Sequence, residues 1–141
     1  MKLPITGGCA CGAIRYEASA EPITMLTCHC RHCQQASGGA FVNAVVFAAD
    51  AFRFVRGTPR HLDRTGVSGG GQHRRGFCAD CGSRLTGGEN PEGSSGIVGV
   101  TAASLDDPAL FQPRMDIFTS RAQPWVRMDP AIPKYEEMPP E

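Results

Sequence analysis

The segment Cys28-His29-Cys30-Arg31-His32-Cys33 places three thiols and two imidazoles within six residues. It constrains this chain more than any other stretch. Four further cysteines lie outside it, as Cys9-Ala10-Cys11 and Cys78-Ala79-Asp80-Cys81. Seven is an odd number, so a full disulfide framework is impossible. The cysteines divide into four and three. Four thiolates close a tetrahedral zinc site, whereas three leave one position free for water or substrate. The expectation is two Zn²⁺ per chain, one structural and one reactive.

The rest of the chain is compatible with that division. Its 14 basic and 14 acidic residues balance, which argues against a nucleic-acid partner, since phosphate binding needs surplus Lys and Arg. There is no apolar run of transmembrane length, so no membrane partner is expected. The opening residues, Met1 to Gly8, hold too short an apolar region for a signal peptide. A reducing, cytoplasmic location is therefore expected, where paired cysteines read as metal ligands or redox groups before disulfides. At 141 residues the chain is expected to form a single domain over 1–135 with a flexible tail over 136–141. With 17 Gly and 11 Pro, short strands and turns are favoured over long helices.

Hydrophobic alternation and short apolar runs locate the strands. Leu3 to Thr6 reads as a first strand halted by Gly7-Gly8. Ala13 to Ala18 alternates, with Ile14 and Tyr16 on one face and Arg15 and Glu17 on the other. Ile23 to Thr27 is expected to deliver Cys28 at its end, and Arg31 to Ala36 to make one helical turn before Ser37-Gly38-Gly39. Phe41 to Phe47 is the most apolar candidate and is expected to be central. Phe52 to Gly57, Arg84 to Thr86, Gly96 to Ala102 and Arg114 to Thr119 complete the set. Thr65 to Gly71 reads as a hairpin turn or mobile loop, and Glu89 to Ser95 as a turn. The proline-rich end reads as coil strapped onto the sheet.

Each cysteine set has its own logic. Cys78-x-x-Cys81-Gly82 has the form of a zinc knuckle: a tight turn brings two sulfurs to one metal, points N–H groups at them, and uses glycine for the left-handed residue that follows. Cys9-x-Cys11-Gly12 supplies a second two-ligand arm. A redox Cys-x-x-Cys normally opens a helix after a strand, whereas Gly82-Ser83 here leads into an extended pattern. Buried or redox cysteines are the alternative. Three thiolates on Zn²⁺ leave about one net negative charge, so that zinc is a weak Lewis acid suited to holding a substrate thiolate rather than making hydroxide. The competing arrangement closes the trio with His29 or His32 as fourth ligand. Those two histidines read otherwise as proton carriers beside the metal or as surface imidazoles, and His61 and His73 as surface residues. Seven arginines between Arg53 and Arg84 include half of the basic residues. They suit a rim for the carboxylates of a small anionic thiol, or a solvated strand face.

At these residues the chain resembles the glutathione-dependent formaldehyde-activating enzyme family, which also includes centromere protein V. The matching motifs are Gly8-Cys9-x-Cys11-Gly12-Ala13-Ile14-Arg15-Tyr16, Cys28-His29-Cys30-x-x-Cys33-x-x-Ala36-Ser37-Gly38, Phe77-Cys78-x-x-Cys81-Gly82, and Ser120 to Val126 with Pro124-Trp125. They occur in the family's order and run from about Gly8 to Tyr135. The resemblance implies a mainly β, mixed-sheet "β-tent" domain. It implies a structural zinc on Cys9, Cys11, Cys78 and Cys81 and a catalytic zinc on Cys28, Cys30 and Cys33. The implied activity is carbon–sulfur lyase chemistry on a thiol adduct, the founding reaction joining formaldehyde to glutathione as the S-hydroxymethyl adduct. Asp116 departs from the pattern, because many members carry His there. A zinc-ribbon-like binding module and a redox or metal-buffer protein are the rival readings.

Overall fold

The computed structural model describes residues 1–65, 72–89, 93 and 95–140. Its elements are β1 (Ile5–Gly8), β2 (Arg15–Ala18), β3 (Thr24–Cys28), α1 (Arg31–Ser37), β4 (Val42–Ala48), β5 (Phe52–Arg56), β6 (Arg60–Thr65), β7 (Gln72–Phe77), β8 (Arg84–Glu89), β9 (Ile97–Thr101) and β10 (Met115–Ile117). The fold is mainly β, as the glycine and proline content led us to expect. A three-stranded sheet has the order β1-β2-β5, and a seven-stranded sheet the order β10-β3-β4-β9-β8-β7-β6. The larger sheet is mixed because β10 runs parallel to β3 while its other pairs are antiparallel. Among the described residues no helix is long and apolar enough to cross a membrane.

The two sheets share a core. Ile5, Tyr16 and Ala18 come from the small sheet, and Met25, Val45, Phe47, Val98 and Val100 from the large one. These positions alternate along their strands, so each sheet gives the core one face. Tyr16 is fully buried, and it keeps its hydroxyl satisfied by a 2.6 Å hydrogen bond with Ser104 Oγ. Phe52 bridges the sheets, with its ring 5.2 Å from Tyr16 and 6.3 Å from Phe47. The opposite face of the large sheet bears only half-buried apolar side chains on β4, among them Val42, Ala44 and Val46.

Several local expectations need correction. Gly7 and Gly8 do not end the first strand; they pair with Tyr16 and Arg15 inside β1. The reason is space: a Cβ on Gly7 would overlap the Tyr16 hydroxyl and the Ser104 carbonyl oxygen. Strand β4 is interior, but the middle of the seven is β9. Strand β6 was not expected from the sequence, because Arg-His-Leu-Asp-Arg-Thr offers no apolar face; it is an exposed edge held by its ladder to β7. The Gly69-Gly70-Gly71 stretch and most of the turn after Glu89 lie outside the described residues.

The C-terminal segment is tied to β10. Asp116 N–H donates to the Pro133 carbonyl and Tyr135 N–H to the Asp116 carbonyl, at 2.9 Å each. Farther along, Phe118 and Ser120 donate to the carbonyls of Glu137 and Glu136.

Gly7→Ala is expected to destabilise the protein by about 1–3 kcal/mol, since backbone must move to admit the methyl group. At Gly39 the nearest atom to a new Cβ is Ser37 Oγ, 3.6 Å away. Gly39→Ala is therefore expected to stay within about 0.5 kcal/mol of the parent. Urea unfolding of the two variants checks the difference.

Candidate metal centres

The turn after β1 and the turn after β7 use one backbone device twice. Gly12 N–H donates to the Cys9 carbonyl (3.2 Å) and Gly82 N–H to the Cys78 carbonyl (2.8 Å). Each turn is closed from its far side, Cys9 N–H donating to Ile14 and Cys78 N–H to Ser83. Gly12 and Gly82 have φ of 79° and 77°, the left-handed region in which a Cβ is disfavoured. Donors reach the sulfurs as expected of a knuckle: Ile14 N–H lies 3.2 Å from Cys9 Sγ. The Ser83 hydroxyl, 3.2 Å from Cys81 Sγ, and the Ser83 N–H hold the Cys81 thiol down at about 5.

The sulfurs of Cys9, Cys11, Cys78 and Cys81 all lie within 4.8 Å of one another. Cys9 and Cys11 are 3.6 Å apart and Cys11 and Cys78 3.8 Å, with every thiol free. A tetrahedral metal with bonds of about 2.3 Å to sulfur requires neighbouring sulfurs about 3.8 Å apart. The set therefore fits a four-thiolate metal site. Cys9 and Cys78 are buried against Ile14 and Leu85, while Cys11 and Cys81 face solvent.

The second set is Cys28, Cys30 and Cys33, again within 4.8 Å of one another and all buried. Cys28 ends β3, which pairs with β4 on one side and β10 on the other. Cys30 is the N-cap of α1, its sulfur accepting from Cys33 N–H at 3.3 Å. The helix is short because Gly38 follows it with φ 71°. It runs for seven residues, about two turns where the sequence suggested one, and its first turn brings Cys33 back over Cys28. Hydrogen bonds from Cys28 and Cys33, helped by the Arg75 charge, hold the Cys30 thiol down at about 2. The same shared bonds, with burial, push the Cys28 thiol up, so negative charge settles on Cys30.

Among the described residues no imidazole joins the trio as a fourth ligand. His29 is buried and points elsewhere, with its Nε2 2.9 Å from Asp116 Oδ1. Lys134 Nζ approaches the other Asp116 oxygen at 3.5 Å. Asp116, the departure from the family pattern, is thus a buried partner of the ligand loop. Gln34 supports the loop from the helix side. Its Nε2 donates to the carbonyls of His29 (2.7 Å) and Arg121 (3.0 Å), and its Oε1 accepts from Arg31 and Gln123. His32 is half-buried and, like His29, does not line the cavity described next.

The trio opens on a cavity of about 320 Å³ over the half-buried face of the large sheet. Arg75 and His73 reach it from β7 and Arg84 from the start of β8. Arg75 donates to Cys33 Sγ at 3.4 Å, and its side chain passes over Gly87, where an added Cβ would sit 3.4 Å from its Nη1. Arg84 lies over the Phe77 ring, 5.5 Å from its centre. The expected arginine rim is therefore much narrower than the sequence suggests. Arg53 pairs with Glu17 on the small sheet, Arg74 with Asp63, and Arg56 reaches the Gly12 carbonyl. His73 is no plain surface residue, and burial, then the Arg75 charge, lowers its pKa. Arg75 was only one of seven candidates in the sequence, and Gln34 gave no signal beyond helical spacing.

The model of the glutathione-dependent formaldehyde-activating enzyme family matches residues 4–121. No match was found among curated proteins. Among solved structures, the chain is similar to a Rhodobacter sphaeroides protein determined as a structural genomics target. Identity is 21%, the match covers 77% of this chain and 96% of that one, and the TM-score is 0.57. That likeness concerns the fold. With the family's motifs on the two converging cysteine sets and its model spanning most of the sequence, this chain belongs to the glutathione-dependent formaldehyde-activating enzyme family.

Proposed function

We propose that the protein is a zinc-dependent carbon–sulfur lyase-type enzyme that forms and cleaves the hydroxymethyl adduct of an anionic thiol. Glutathione and formaldehyde are the reactants that the family name supplies. The observation that carries this reading is at the trio: among the described residues, its free side meets a cavity and a guanidinium instead of a fourth protein donor. A site needed only for folding gains by being closed, whereas a catalytic one keeps a position open. In this reading Cys9, Cys11, Cys78 and Cys81 hold the structural zinc, and Cys28, Cys30 and Cys33 the catalytic one. Zinc held by the trio would supply a place where a thiol binds as thiolate near neutral pH, below its free pKa of about 8.5.

The chain's own residues carry the rest. Arg75 offsets the surplus negative charge of three thiolates and cannot compete as a ligand, having no lone pair to give. Arg75 and Arg84 attract the substrate carboxylate. The substrate sulfur attacks the aldehyde carbon, forming the carbon–sulfur bond, and the C=O π pair moves to oxygen. The oxygen takes up one proton, balancing the one lost by the thiol. His73, the imidazole among the described lining residues, carries that proton. Reversing the steps cleaves the adduct. His29 and Gln34 act as supports that keep the ligand loop in place.

Three outcomes are expected. Purified protein binds two zinc ions, and graded chelation removes the trio's ion first, because three protein ligands hold it instead of four; loss of both ions in one step would contradict the division. Cys78→Ser unfolds the protein, since a structural zinc contributes on the order of 10 kcal/mol to the folding of small zinc domains. Cys30→Ser melts near the parent temperature and retains one zinc; equal destabilisation of the two variants would overturn the roles. Exchange NMR of glutathione with formaldehyde shows faster interconversion with the parent protein and the uncatalysed rate with Cys30→Ser. A parent protein that leaves the rate unchanged removes the founding reaction from consideration.

A further inference from the structure

The cavity beside the trio has two chemically different ends. Strand pairing orders its floor. Cys28 faces Val42, Leu26 faces Ala44, and Ala44 faces Thr101; the next row joins Thr24, Val46, Gly99 and Gly87. The row of Cys28 and Val42 is the metal end. Arg75 touches Cys33 there, and the Arg84 carbonyl accepts the Thr101 hydroxyl at 2.8 Å, which holds Arg84 near the same end. Among the described residues neither arginine has a carboxylate partner, in contrast to Arg15, Arg53 and Arg74, and no Asp or Glu lines the cavity. Toward the other end lie Val46, Ile97, Gly88 and Gly99, with Met138 also in the lining. Val42 to Val46 spans about 14 Å of extended strand.

Resting on the reading of the trio as a thiol site, we propose that its substrate thiol carries one anionic group close to the sulfur and an apolar alkyl or aryl body that runs away from the metal over β4 and β9. Sulfur at the trio puts a neighbouring carboxylate within the reach of Arg75 and Arg84, two cations that have no carboxylate partner among the described residues. Continuing along the cavity, the body meets Ala44, Val46 and Ile97, whose side chains have nothing to hydrogen-bond. An apolar body gains by covering them, whereas peptide groups such as those of glutathione lose water there without replacement. Gly88 and Gly99 leave the floor beyond Arg75, which crosses Gly87, free of side chains for that body. A side chain at Gly99 would press on the Gly87 carbonyl oxygen, 3.1 Å from its Cβ.

Calorimetric titration of the zinc-loaded protein with four thiols tests this: 2-mercaptooctanoate (anion and body), mercaptoacetate (anion alone), hexanethiol (body alone) and glutathione (polar body). The octanoate is expected to bind about tenfold or more tighter than each of the others. Val46→Asp puts a charge under the body, and it is expected to abolish the advantage of the octanoate over mercaptoacetate. Arg84→Gln is expected to weaken both carboxylates several-fold and hexanethiol not at all. Glutathione binding as tightly as the octanoate, or a Val46→Asp variant that keeps the advantage, overturns the inference but leaves the thiol site standing. If no thiol binds, the thiol site itself fails and the inference with it. Far-ultraviolet circular dichroism and zinc content of each variant separate loss of recognition from loss of fold.

Discussion

The meeting of the Cys9–Cys11 turn with the Cys78–Cys81 turn is the constraint on which the rest depends. The first turn belongs to the small sheet and the second to the large one, so the sulfurs join the two layers. Four sulfurs within 4.8 Å of one another are poor company unless something positive lies among them. As thiols they make weak hydrogen bonds, and as thiolates they repel. A bound cation reverses that balance, and the loop it closes covers about half the chain. Ile14 and Leu85 seal the inner side of the cluster, giving the joint a small apolar core of its own.

The trio is held differently, by support from several directions. Asp116 is buried, and its carboxylate is matched by His29 and Lys134. A buried carboxylate without such partners would cost several kcal/mol, on the order of the protein's whole stability margin. Phe118, which lines the cavity, has φ 54°, a conformation that costs a non-glycine residue roughly 1–2 kcal/mol. The hydrogen bond from its N–H to Glu137 helps to hold it there. The C-terminal segment thus braces the wall of the site from outside the large sheet.

The grouping of the cysteines into two sets, each able to hold a metal, was legible because its pattern is local: spacing and a following glycine suggest a knuckle without knowledge of the fold. Strands β4 and β9 were legible as short apolar runs, and β2 from its two-residue alternation, since both signals are visible in the sequence. Strand β6 was not, since its order comes from backbone pairing to β7 and leaves no hydrophobic trace. The selection of Arg75 from seven arginines was hidden as well. It depends on register across β7 and β8 and on a glycine at position 87 that leaves room for the side chain. Asp116 was noticed only as a departure. Its meaning appears when β10 lies beside β3 and brings it to His29, a contact 87 residues apart in sequence.

Strand β4 serves two masters through alternation alone. Val45 and Phe47 face the core between the sheets, while Val42, Ala44 and Val46 face the cavity. Adjacent residues on one strand therefore have separate surroundings, the packed core for one parity and the cavity lining for the other. Substitutions of the second parity can accumulate without loosening the packing, provided the strand keeps its register. A lineage carrying this fold can reshape the cavity by changing a few side chains on the outer face of one sheet, leaving the two cysteine clusters and the shared core as they were.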